Sequence, residues 1–124
     1  MRAAARVALF LTLAASCHET TSESCRQTPA GWKAPGTTPA HATTVNHVTV
    51  APDQIRWNGV PVSEQILVEY LRETREGAPI PFVILDPQAA DCARVQRMIQ
   101  LLEQNYPCRQ GACGLGSPAA FFPA

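Results

Sequence analysis

The chain has 124 residues and a mass of 13.4 kDa, room for one small domain and an N-terminal address. It is 46% hydrophobic and 16% charged, with ten acidic residues against ten basic ones, which excludes a wholly disordered chain and a strongly basic nucleic-acid binder. No run of about 18 apolar residues offers a membrane span.

Residues 1–17 read as an export signal. Arg2 and Arg6 form a positive start, Val7 to Ala15 a short apolar core, and Ala14, Ala15 and Ser16 supply small residues just before Cys17. As a helix that core covers about 13 Å, well short of a roughly 30 Å hydrocarbon layer. The run Leu13-Ala14-Ala15-Ser16-Cys17 resembles a bacterial lipoprotein signal, whose cysteine becomes the lipidated first residue of the mature chain, so Cys17 is the candidate lipidation site. Ordinary cleavage after Ser16 and retention of the segment as a short anchor are the alternatives. Cleavage removes Arg2 and Arg6, leaving eight basic residues against ten acidic ones. That mildly acidic balance favours neither nucleic acid nor an anionic membrane surface as partner.

From His18 to Thr43 the chain is rich in Thr, Ser, Ala and Pro without an apolar period, and reads as a flexible tether. Its reach is about 25–30 Å. His18, His41 and His47 have no metal-ligand spacing, and no metal or other cofactor is expected.

A compact domain is expected over 44–106. Val45 to Val50 is rich in β-branched residues and reads as a strand. Ala51-Pro52-Asp53-Gln54 turns the chain, Ile55-Arg56-Trp57 resumes the alternation, and Asn58-Gly59 is a tight-turn pair. Val60-Pro61-Val62 then runs extended to a helix that Ser63 caps, with Val62 and Leu67 at the spacing of a hydrophobic staple. Ile66, Leu67, Tyr70 and Leu71 form its apolar stripe, and Gly77 ends it. Pro79-Ile80-Pro81 leads into Phe82-Val83-Ile84-Leu85, a run suited to a strand covered on both faces. After Asp86-Pro87 a second helix spans about Ala90 to Asn105, with Cys92, Val95, Met98, Ile99, Leu102 and Tyr106 directed inward. The predicted fold is α+β: a small ββαβα domain, a short sheet with both helices on one face. Trp57, Tyr70, Phe82 and Met98 are assigned to the core. Residues 107–124 form a cysteine-containing loop and tail.

With Cys17 lipidated, Cys25, Cys92, Cys108 and Cys113 remain, an even set that indicates an oxidising compartment. A helix between Cys92 and Cys108 would hold them about 21 Å apart, so that pair requires a sharp fold-back, whereas Cys108 and Cys113 close a short loop. Cys108–Cys113 is the favoured disulfide. Cys92 is then a buried thiol or the partner of Cys25. The Cys-x4-Cys spacing in a loop does not fit a thioredoxin-like site. No phosphate loop, nucleophile elbow or His-Glu-x-x-His occurs, and Asp86, Asp91 and Ser63 have structural duties at element ends, so no catalytic residue is assigned and the chain is not expected to be an enzyme.

Residues 48–102 resemble the periplasmic domain of the ExbD/TolR biopolymer-transport family. The resemblance rests on Ile55-Arg56-Trp57-Asn58-Gly59-Val60-Pro61-Val62-Ser63 with the Leu67–Leu71 helix, then Pro81-Phe82-Val83-Ile84-Leu85-Asp86 with the Val95–Leu102 helix. It implies a partner-binding role beside a proton-driven motor of the inner membrane. Its implied partners are ExbB/TonB-like or TolQ/TolA-like proteins, with peptidoglycan a further contact of TolR-type domains, in an oligomer on the periplasmic side of a Gram-negative envelope. The family's membrane helix carries an aspartate used with protons; Val7 to Ala15 is short and has no acid, so no motor residue transfers. The family domain also continues into a final strand after its second helix, where this chain has Cys108 to Cys113 and an apolar tail. The reading is therefore a detached exported domain, with the sheet edge left by the missing strand as a pairing surface. The alternative is a disulfide-stabilised envelope lipoprotein of unrelated role.

Overall fold

The structure, a computed structural model, describes residues 24–37 and 44–122. β1 (Val45–Val50) and β2 (Ile55–Trp57) pair antiparallel, and β2 pairs antiparallel with β3 (Val60–Val62). Asn58 and Gly59 both hold positive φ, 49° and 85°, the tight turn that matches strand twist. Asn58 Oδ1 accepts the His47 N–H at 2.8 Å and its Nδ2 donates to Asn46 Oδ1 at 3.0 Å, which ties the hairpin end to β1.

α1 (Glu64–Thr74) starts where Ser63 Oγ accepts the Ile66 N–H at 3.1 Å. Leu67 and Leu71 are its buried residues. β4 (Phe82–Asp86) is buried from Phe82 to Leu85, as a strand covered on both sides requires. Asp91 caps α2 (Cys92–Asn105) by accepting the Arg94 N–H at 2.9 Å, and Val95, Met98 and Leu102 bury one stripe of the helix.

The product is a small α+β fold around a five-stranded mixed sheet of order β3-β2-β1-β4-β5, in which β4 runs parallel to β1 and to β5 (Cys113–Leu115). Val48, Val50, Ile55, Val83 and Leu85 meet Leu67, Leu71, Val95, Met98 and Leu102 in the main core. The opposite parity of β4, Phe82 and Ile84, packs with Phe121 of α3 (Pro118–Phe121).

Three expectations change. The strand expected to be missing is present: the chain reverses after α2 through Cys108–Gln110 and pairs Cys113, Gly114 and Leu115 with Val83, Ile84 and Leu85. Its signal is weak because Cys-Gly-Leu has no β-branched run, and Gly114 is there for space, facing the Phe82 and Phe121 rings. The two expected helices share one face, but a third, α3, covers the other, and the strand count rises because Val60–Val62 pairs as well as runs extended. Finally, much of the expected tether is folded. Over 24–37 it lies against the domain, with Cys25 and Trp32 buried.

Candidate functional site

The 24–37 segment forms a strap. Its first turn, Ser24–Arg26, is bonded to α2 through the Cys25–Cys92 disulfide. Arg26 reinforces that attachment: Nη2 donates to the carbonyls of Gln88 and Ala90 at 2.7 and 3.0 Å, and Nη1 reaches Cys25 Sγ at 3.7 Å. Trp32 then inserts into the main core, which also holds Tyr106, Cys108 and Cys113. Lys33 bridges to Gly114, its N–H donating to the Cys113 carbonyl at 2.9 Å, and the Gly36 N–H donates to Ala120 at 3.0 Å. Gly31 passes so close to the chain after α2 that a Cβ there would lie 2.1 Å from the Arg109 carbonyl oxygen.

This strap removes the pairing surface expected at the missing strand. β5 occupies that place, and Lys33 caps its outer side. The other edge is blunted as well. Trp57 and Val60 flank the two-residue turn as a hydrogen-bonded pair, so the outward backbone position of β3 falls on Pro61, which has no N–H to offer.

The accessible apolar surface lies instead where α1 crosses the hairpin. Val60 is 62% exposed, Tyr70 38% and Ile66 37%, and the Tyr70 ring stands 5.7 Å from that of half-buried Trp57. Tyr70 therefore leaves the predicted core: the apolar stripe of α1 is wider than the sheet beneath it, and only Leu67 and Leu71 are covered. Exposed Glu69 and Glu73 lie on the same flank of the helix by the three-and-four rule, which makes the rim acidic.

A second depression, about 470 Å³, lies between the α1–β4 connection and the end of α2, lined by Arg75, Glu76, Ile80, Glu103, Gln104 and Tyr106. Tyr106 donates its hydroxyl to the Pro81 carbonyl, and burial pushes its pKa up to about 12, so it remains a neutral donor. Beside it, Arg109 pairs with Glu103. On the outer side, Arg97 grips Glu64 through two bonds of 2.8 Å, and this hydrogen bonding holds the Glu64 carboxyl below the usual range.

Of the residues singled out from sequence, Cys108 and Cys113 are joined with Cα atoms 4.6 Å apart, and Cys92 is joined to Cys25 rather than buried as a thiol. Cys17, His18 and His41 lie outside the described residues. Sequence reasoning missed Trp32 as a core residue; the available signal was a lone tryptophan in a polar run, seven residues after Cys25. Among the described residues no group of three metal-ligating side chains converges, and no helix is long and apolar enough to cross a membrane. Compared with protein-family models, curated proteins and solved structures, the chain matches none.

Proposed function

We propose that this chain is a non-enzymatic, exported partner-binding domain of the Gram-negative envelope, resembling the periplasmic part of an ExbD/TolR-type transport component. The observation that carries the reading is β5. A domain running hairpin, helix, buried strand, helix and final strand has the element order expected from the resemblance, so β5 answers one of the two departures from it. The other, the absence of an acid in Val7 to Ala15, stands. Two disulfides accord with an oxidising, extracytoplasmic compartment.

With both sheet edges closed, the partner-facing surface in this reading is Val60, Ile66, Tyr70 and Trp57 with its acidic rim. It suits an apolar segment bearing Lys or Arg, the complement of Glu69 and Glu73. A photocrosslinking residue at Tyr70 in the envelope of the native host tests this. The expected product is a covalent adduct with an ExbB/TolQ-like or TonB/TolA-like chain, or with peptidoglycan, that a probe at Gln110 does not give. Adducts with none of these at Tyr70 overturn the reading.

A second reading, a lipoprotein of unrelated duty, is favoured by the strap itself. If Cys17 carries lipid, only residues 18–23 separate it from the first described turn, a span of at most about 25 Å. The intact mass of envelope-isolated protein, with and without reductant, decides whether the mature chain starts at an acylated Cys17.

A further inference from the structure

We propose that Cys25–Cys92 is a thiol–disulfide exchange site for an envelope dithiol, and that opening it releases the 24–37 strap from the domain while Cys108–Cys113 stays closed. The two disulfides differ in access. Cys108 and Cys113 are each 0% exposed and enclosed in the main core, whereas Cys92, at the first position of α2, is only half-buried. They also differ in what surrounds the departing sulfur. Cys25 Sγ has the Arg26 guanidinium at 3.7 Å, held there by its bonds to Gln88 and Ala90, and a fixed cation favours a thiolate leaving group.

The exchange balances with a dithiol as reductant. Its first thiolate bonds to Cys92 Sγ, the Cys25–Cys92 bond breaks, and the electron pair leaves on Cys25 Sγ beside Arg26. The reagent's second sulfur, as thiolate, then displaces Cys92. The reagent ends as a disulfide, two electrons have passed to the protein, and its two sulfurs take up protons according to pH.

What the bond restrains is the 24–37 segment, which is also held by Arg26, by the Lys33 and Gly36 backbone bonds, by Trp32 and by the close pass of Gly31 against Arg109. Trp32 is an imperfect anchor: its indole N–H is buried without an acceptor among the described residues, which costs part of what its ring gains. Release uncovers the Cys113 carbonyl on the outer side of β5.

The test uses the mature chain with both disulfides formed, exposed to graded dithiothreitol at pH 7, quenched by alkylation and mapped by mass spectrometry, with hydrogen exchange on the same samples. Cys25 and Cys92 are expected to become alkylated at least about tenfold faster than Cys108 and Cys113. In that window the Lys33 and Gly36 amides should lose protection while α2 keeps its own. Arg26→Gln, measured on the fully oxidised protein, should slow opening by about threefold to tenfold by raising the energy of the leaving thiolate. That rate needs no folded reduced state. Simultaneous opening of both disulfides, or a strap still protected after Cys25 and Cys92 are alkylated, overturns the proposal. An opening rate unchanged in Arg26→Gln overturns the assigned role of the cation.

Discussion

Gly114 has no room for another carbon. A Cβ at this position would lie 2.5 Å from two ring carbons of Phe121 and 2.9 Å from Phe82, so the last helix sits against β5 only because the strand is bare there. Gly114→Ala should push α3 away and destabilise the fold by about 1–3 kcal/mol, an overpacking cost. A lowered melting temperature, with loss of protection at the Phe122 amide that bonds to Pro118, is the expected result. Tyr106 makes a separate prediction. Its phenol stays neutral in the fold up to about pH 12, while in the unfolded chain it ionises near its ordinary value of 10.0. The unfolded state therefore loses its proton first, so the contribution is complete below pH 10 and falls as pH rises toward 12. In urea unfolding, the stability advantage over Tyr106→Phe should be about 1 kcal/mol at neutral pH, from the bond to Pro81, and should narrow between pH 9.5 and 11. A gap that does not change with pH would show that the raised phenol pKa does not bear on folding.

At the scale of elements, α1 separates packing from presentation. Leu71 is fully buried, and Leu71→Ala should cost about 2–5 kcal/mol. Tyr70→Ser, one residue away and more than a third exposed, should change stability by less than about 1 kcal/mol while removing the ring that faces Trp57. Paired melting curves check the contrast; an equal loss in both variants would return Tyr70 to the core. The same contrast shows what sequence can and cannot tell. The caps at Ser63 and Asp91, the Asn58-Gly59 turn and the buried run of β4 were legible because each rests on local chemistry: a side-chain oxygen, a positive φ, a continuous apolar strand. β5 and the strap were not. Cys-Gly-Leu becomes a strand because Cys108–Cys113 and the reversed chain bring it beside β4, and Trp32 becomes core because Cys25 is bonded 67 residues away. Both depend on contacts that no local period carries. The exposed Tyr70 failed for a related reason: periodicity marks an apolar stripe but not the width of the surface that will cover it.

Over the whole molecule the two disulfides act on different lengths of chain. Cys108–Cys113 closes a separation of 5 residues and fixes a local reversal, while Cys25–Cys92 spans 67 residues, enclosing β1 to β4 and α1. In the chain-entropy model the shorter loop restricts the unfolded state by about 2 kcal/mol and the longer by about 4 kcal/mol. The longer bond also sets how far the domain stands from any lipid on Cys17. While it is closed, six residues of sequence, 18–23, lie between Cys17 and the bonded turn; once the strap is free, residues 18–44 lie between Cys17 and β1. Cys25→Ser with Cys92→Ser should therefore lower unfolding stability more than Cys108→Ser with Cys113→Ser, by about 2 kcal/mol on loop length alone. Urea unfolding of the two double variants at pH 7 checks the order. The reverse order would mean that the Cys108–Cys113 reversal stabilises the native sheet itself, by holding β5 against β4, beyond its effect on the unfolded chain.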